Sequence, residues 1–134
     1  MSQSYTVERA NRTLPLVRRI VEDIVVSHQR WRERILELDL LASAVRADAP
    51  DARATELERE AQVLARDIDA FEGELHRLGI VLKDRRLGLI DFPAVVEGRQ
   101  VWLCWRLGEP SVQFYHELDA GFGGRKPLTA AMTP

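Results

Sequence analysis

The chain has 134 residues, 46% of them apolar and 30% charged, with a formal net charge of -2. That length is enough for one domain with its own core, the mixture excludes a disordered chain, and the acidic balance excludes any global attraction for a phosphate backbone. A single cysteine excludes an internal disulfide framework, no apolar run reaches membrane-spanning length, and no secretory leader opens the chain, so a cytoplasmic protein bound to neither membrane nor nucleic acid is expected.

Residues Met1 to Tyr5 read as a loose polar terminus, and Thr6 is placed to cap a helix in which Glu8 complements the dipole. Pro15 costs about 3 kcal/mol inside a helix, so a break or kink is expected between Asn11 and Pro15, with Thr13 capping the longer segment. From Ala10 the apolar spacing is regular: Leu14, Val17, Val21, Ile24, His28, Trp31, Ile35, Leu38, Ala42 and Val45 follow at alternating steps of four and three. This is a coiled-coil-like seam with one polar member, His28, and Ile20 and Val25 widen its face near the start. Ala47 to Asp51 reads as a turn. A second seam at Leu57, Ala61, Leu64, Ile68, Phe71, Leu75 and Leu78 ends at Gly79, which suits a left-handed terminus.

Two seams joined by a short loop predict an antiparallel helical hairpin roughly 45 Å long at 1.5 Å per residue. Beyond Gly79 the period changes to two. Strands are predicted at 80–83, 90–96, 100–106 and 111–117, giving a meander of three or four strands that covers the overhanging start of the first helix. The fold class is therefore α+β in a single domain, 1–134: helix one over 6–46, helix two over 51–79, the meander over 80–118 and a fraying tail over 119–134.

Alternation predicts the faces of that meander. A two-residue turn at Glu97-Gly98 pairs Ala94 with Val101, Phe92 with Leu103, Asp91 with Cys104 and Ile90 with Trp105. A similar turn at Gly108-Glu109 would pair Leu103 with Phe114, Trp102 with Tyr115 and Val101 with His116. Leu103, Trp105, Phe114 and His116 then face the helix. Asp91, Trp102, Cys104, Arg106, Gln113, Tyr115 and Glu117 face outward, an unusual set for a plainly solvated surface.

The segments Gly88-Leu89-Ile90-Asp91-Phe92-Pro93-Ala94, Leu103-Cys104-Trp105-Arg106-Leu107-Gly108-Glu109-Pro110 and His116-Glu117-Leu118-Asp119-Ala120-Gly121-Phe122 resemble the signature of the bacterial domain-of-unknown-function 2203 family, as does Gly79 to Asp84. The resemblance covers nearly the whole chain and implies no activity to carry over. Tyr115 stands where the family often has tryptophan, an exchange that preserves an aromatic role.

The candidate binding surface is Asp91, Trp102, Cys104, Arg106, Glu109, Tyr115, Glu117 and Arg125. Cys104 beside Arg106 could be a nucleophile or ligand, but Asp91 opposite would raise its pKa, and a small semi-buried hydrophobe is the favoured reading. Metal binding by Cys104, His116 and Glu117 meets the objection that alternation sends His116 to the other face, so no metal and no cofactor is expected. His28 reads as a register device satisfied by Glu72 or Glu74, in preference to a site joining His28, His76 and His116. The charged set could hold a small anion or form ordinary cross-strand pairs. The leading expectation is a non-enzymatic assembly module, a dimer or a partner-docking domain. The alternative is a ligand-binding protein or enzyme using Asp91, Cys104, Arg106, Glu109 and Glu117.

Overall fold

The computed structural model describes residues 4–44 and 51–133. Two long helices, α1 (Val7–Ala44) and α2 (Ala52–Arg77), lead into a five-stranded antiparallel sheet: β1 (Val81–Asp84), β2 (Leu89–Val96), β3 (Arg99–Arg106), β4 (Phe114–His116) and β5 (Lys126–Pro127), with strands neighbouring in chain order. The fold is the predicted α+β hairpin and sheet. The expected turn over 47–50 and the seam position Val45 lie outside the described residues.

Helix α1 starts as expected, with the Arg9 amide donating to Thr6 Oγ1 at 3.1 Å. The break at Pro15 does not occur, since α1 runs through it. Proline removes one ladder bond, but its ring stands on the exposed side, while Ala10, Leu14, Val17 and Val21 are 0–3% exposed on the other. Burying those side chains, each worth about 1.5–3 kcal/mol for the larger ones, outweighs the missing bond. Thr13 caps nothing; its hydroxyl turns back to the Arg9 carbonyl at 2.8 Å.

The seam is unequal along its length. Its first half, from Ala10 to Ile24, is buried, and its second half is not: His28, Trp31, Ile35 and Leu38 are half-buried and Ala42 is exposed, while Leu36 and Leu40, beside the seam, are 61% and 62% exposed. In α2, Leu57, Ala61, Ile68 and Leu75 are buried as the spacing requires. Asp51 caps α2 by accepting from the Arg53 and Ala54 amides, and Gly79 closes it with φ 77°, the Ile80 amide donating to Leu75.

The terminus is not loose at Tyr5. That residue is 2% exposed, bridges Ala94 in parallel, meets Phe92 edge-on at 5.1 Å and donates its hydroxyl to the Leu78 carbonyl. It therefore ties the chain start to both the sheet and the end of α2.

The β2–β3 register is the predicted one, from Val96 opposite Arg99 through Asp91 opposite Cys104 to Leu89 opposite Arg106. Glu97 and Gly98 both have positive φ, 53° and 75°, the geometry that a two-residue hairpin requires. The β3–β4 register is not the predicted one. Trp102 pairs with His116, Leu103 with Tyr115 and Cys104 with Phe114, a slip of one residue. Pro110 has no amide to offer a ladder, and the Val112 backbone is taken by α1 instead: its amide donates to Asn11 Oδ1 at 2.7 Å and its carbonyl accepts from Asn11 Nδ2. The strand can resume only at Phe114, and every β4 side chain changes face.

Nor does the tail simply fray. The Lys126–Pro127 strand pairs with β4, the Leu128 amide donates to Gln113, and single 3-10 turns flank it at Phe122–Gly124 and Ala130–Met132. The sheet has five strands rather than three or four.

Candidate metal centre

The slip of β4 brings His116 to the outer face, beside Asp91 of β2 and Cys104 of β3. All three are buried, at 3%, 3% and 1% exposure, and their potential ligand atoms lie within 4.8 Å of one another. Tyr115 moves the other way, into the core at 7% exposure, with Leu103 and Trp105.

The pair at the centre is Asp91 and His116. Nε2 stands 3.0 Å from Asp91 Oδ2, and Nδ1 lies 2.9 Å from the Glu117 carbonyl, which can only accept. That carbonyl fixes the proton on Nδ1 and leaves the Nε2 lone pair aimed at a carboxylate oxygen, an arrangement that needs a proton or a cation between the two. The other carboxylate oxygen, Oδ1, is buried with no hydrogen-bond partner among the described residues. Burial pushes the Asp91 carboxyl above its usual range, against the pull of His116. Cys104 is pushed up to about 11, first by burial and then by the negative charge of Asp91, with Arg125 acting against both.

His116 offers Cys104 no evident activation as a nucleophile, since its two ring nitrogens face the Glu117 carbonyl and Asp91. A thiol near 11 is also almost wholly protonated at neutral pH.

An ion pair roofs the cluster. Arg125 holds Glu109 through two bonds of 3.0 and 2.7 Å, and its Nη1 reaches Cys104 Sγ at 4.0 Å. The guanidinium lies over the Phe114 and Phe122 rings, 3.9 and 4.5 Å from their centroids. Glu109 also accepts from the Arg106 amide at 2.7 Å, so the turn after β3 positions the carboxylate.

Of the predicted surface, Asp91, Cys104, Glu109 and Arg125 come together. Trp102 flanks them, half-buried, opposite His116. The Arg106 side chain is exposed, Tyr115 is in the core, and Glu117 pairs with Arg99 at 3.0 Å. Residues missed were His116, through the register, and the two phenylalanines under Arg125. The histidine trio does not form: among the described residues the cluster of possible ligands contains His116 alone, while His76 is exposed and His28 stacks on Trp31 at 5.9 Å. Glu72, expected to satisfy His28, holds Arg85 instead.

No helix is long and apolar enough to cross a membrane among the described residues. No curated protein and no solved structure matches the chain. The family model described as "Uncharacterized conserved protein (DUF2203)" matches residues 3–128, a span that takes in the helical hairpin, all three residues of the cluster and the Arg125–Glu109 roof. The chain belongs to the DUF2203 family.

Proposed function

We propose that the protein binds one divalent transition metal ion, zinc being the best fit, through Asp91, Cys104 and His116. The observation that carries the reading is the orientation of His116: its proton is held by the Glu117 carbonyl, and its lone pair faces a buried carboxylate whose second oxygen has no partner among the described residues. A sulfur, an imidazole nitrogen and a carboxylate oxygen favour zinc and its neighbours over magnesium or calcium, which take oxygen alone. At zinc bond lengths of about 2.0–2.3 Å a tetrahedral ion holds its donors about 3.3–3.7 Å apart, so donors that now lie within 4.8 Å of one another must close by up to about 1 Å. Metal binding displaces the thiol proton, and Arg125 is placed to donate to the resulting thiolate.

The test is titration of the chelator-treated full chain with Zn²⁺ against a competing indicator, and with Co²⁺ followed by absorption. One equivalent with a thiolate-to-cobalt band is expected, and both should be lost in Cys104→Ser and His116→Ala. Absence of stoichiometric binding at micromolar metal, or binding that survives both substitutions, overturns the reading.

A second reading is self-association through the far end of the hairpin as a coiled-coil dimer, favoured by the exposure of Leu36 and Leu40 on α1. It does not draw on Tyr115, which is core. Light scattering tests it: Leu36→Lys with Leu40→Lys should reduce the mass of a dimer, and a monomeric parent chain ends the idea. Because Cys104 works in the metal scheme only when reduced, a cytoplasmic setting is the compatible one.

A further inference from the structure

A second feature shares no residue with the cluster above. One turn of α1 and the loop between β1 and β2 flank an open cleft of about 290 Å³ lined by Val25, His28, Gln29, Arg32 and Arg86. In a chain of net charge -2, this is a local concentration of positive charge. Among the described residues neither Arg32 nor Arg86 forms an ion pair, whereas the neighbouring Arg85 is occupied by Glu72 at 2.7 Å and Asp69 at 4.0 Å. The nearby carboxylate, Asp84, has Oδ1 engaged by the Arg86 and Leu87 amides at 2.8 and 2.9 Å, which holds the loop in shape; it forms no ion pair among the described residues, although the Arg86 charge acts on it.

Two parts of the wall, His28 and the loop backbone, are held by contacts of their own. His28 stacks on Trp31 with an interplanar angle of 22°. The loop is pinned on α1 at Gly88, where even a methyl group would stand 2.9 and 3.1 Å from Val21 and Val25. Positions 25, 28, 29 and 32 are spaced at three and four along one helical face, so His28, Gln29 and Arg32 look into the same space. Arg86 approaches from the loop.

We propose that this cleft is a binding site for a phosphate group, carried by a small phosphate monoester or as the free ion. Two guanidiniums that form no ion pair among the described residues and an imidazole match the several oxygens of a phosphate, the Gln29 amide can join them on leaving Glu33, to which it donates at 3.5 Å, and the volume leaves room for an attached ester. The charge field around the cleft agrees: burial and then Arg85, Arg32 and Arg86 hold His28 below the usual imidazole range, with Asp84 acting against them. A phosphate seated there offsets that field and raises the His28 pKa. The site is separate from the metal cluster and does not depend on it.

The experiment uses the full chain in low-salt chloride buffer, titrated with inorganic phosphate and with glycerol phosphate by calorimetry, while the His28 ring is followed by nuclear magnetic resonance across pH. Binding should weaken roughly tenfold or more in Arg32→Gln with Arg86→Gln, and stay unchanged in Arg12→Gln with Arg30→Gln, which removes the same charge from exposed positions elsewhere on α1. The His28 titration should move upward with either ligand in the parent chain. Tighter binding of glycerol phosphate assigns the site to an ester, and equal binding assigns it to the ion. No measurable binding of either ligand, equal weakening in both double variants, or a His28 titration that phosphate leaves in place refutes the proposal.

Discussion

Replacing Asp91 by asparagine separates a metal ligand from a structural ion pair. In the metal-free Asp91→Asn variant the side chain keeps its shape and presents an amide N–H to the His116 Nε2 lone pair, so the one contact at 3.0 Å survives as a neutral hydrogen bond. One buried oxygen lacks a partner before and after the change, and its cost of about 1–3 kcal/mol cancels in the comparison. What differs is the charge. A carboxylate only 3% exposed carries a desolvation penalty of several kcal/mol, which the amide does not. The metal-free Asp91→Asn chain is therefore expected to be within about 1 kcal/mol of its parent or more stable, while its zinc affinity collapses. Asp91→Ala, which leaves Nε2 facing a void, should lose about 2–4 kcal/mol. Urea unfolding of chelator-treated proteins, read by the fluorescence of the buried Trp105, measures both. A loss of about 3–5 kcal/mol in Asp91→Asn is what breaking a buried carboxylate–imidazolium pair costs, and it would show that the cluster is held by its own charges and has no need of an ion.

Two further outcomes test the scaffold. Gly88→Ala places a methyl group 2.8 Å from Leu107 and 2.9 Å from Val21 at φ +67°, combining a left-handed penalty of about 1–2 kcal/mol with overpacking of about 1–3 kcal/mol; a drop in the urea midpoint equivalent to less than about 1 kcal/mol means that the loop is not seated on α1. Asp84 is held below the usual carboxylate range, first by the Leu87 amide and also by the Arg86 amide, with burial opposing. Its stabilising contribution is present above its unfolded pKa and is lost as pH falls through the lower, folded value. Asp84→Asn should therefore lower stability at neutral pH and flatten the acid limb below about pH 4, the variant and parent curves converging in acid, as a pH series of thermal melts would show.

The helical hairpin was legible because it rests on many repeated choices: eleven positions in one seam and seven in the other point the same way, so no single residue can overturn them. The β2–β3 hairpin was legible for a local reason, since Glu97-Gly98 specifies both the turn and, through it, every pair back to Leu89. The β3–β4 pairing was not, because its register is decided 101 residues away in sequence by Asn11, whose amide takes the Val112 backbone out of the ladder. Local reading favoured the turn at Gly108-Glu109, and the error passed directly to the site by turning His116 inward and Tyr115 outward. Pro110 was the available warning. Tyr5 and the Lys126–Pro127 strand were missed for the same reason: short terminal segments carry little periodicity of their own and take their structure from the sheet they join.

The Asn11 clamp also sets an order of events. The hairpin and the β2–β3 ribbon close over short loops and can form early, whereas β4 finds its register only after the first turns of α1 have docked against the finished ribbon. Asp91 and Cys104 are therefore expected to come together first and His116 last, delivered by a contact between residues 101 apart in sequence. A chain opened at Asn11 alone frees β4 to slide by one residue, which would withdraw the imidazole and leave the other two in place. Possession of a complete donor set thus reports that the two ends of the molecule have met.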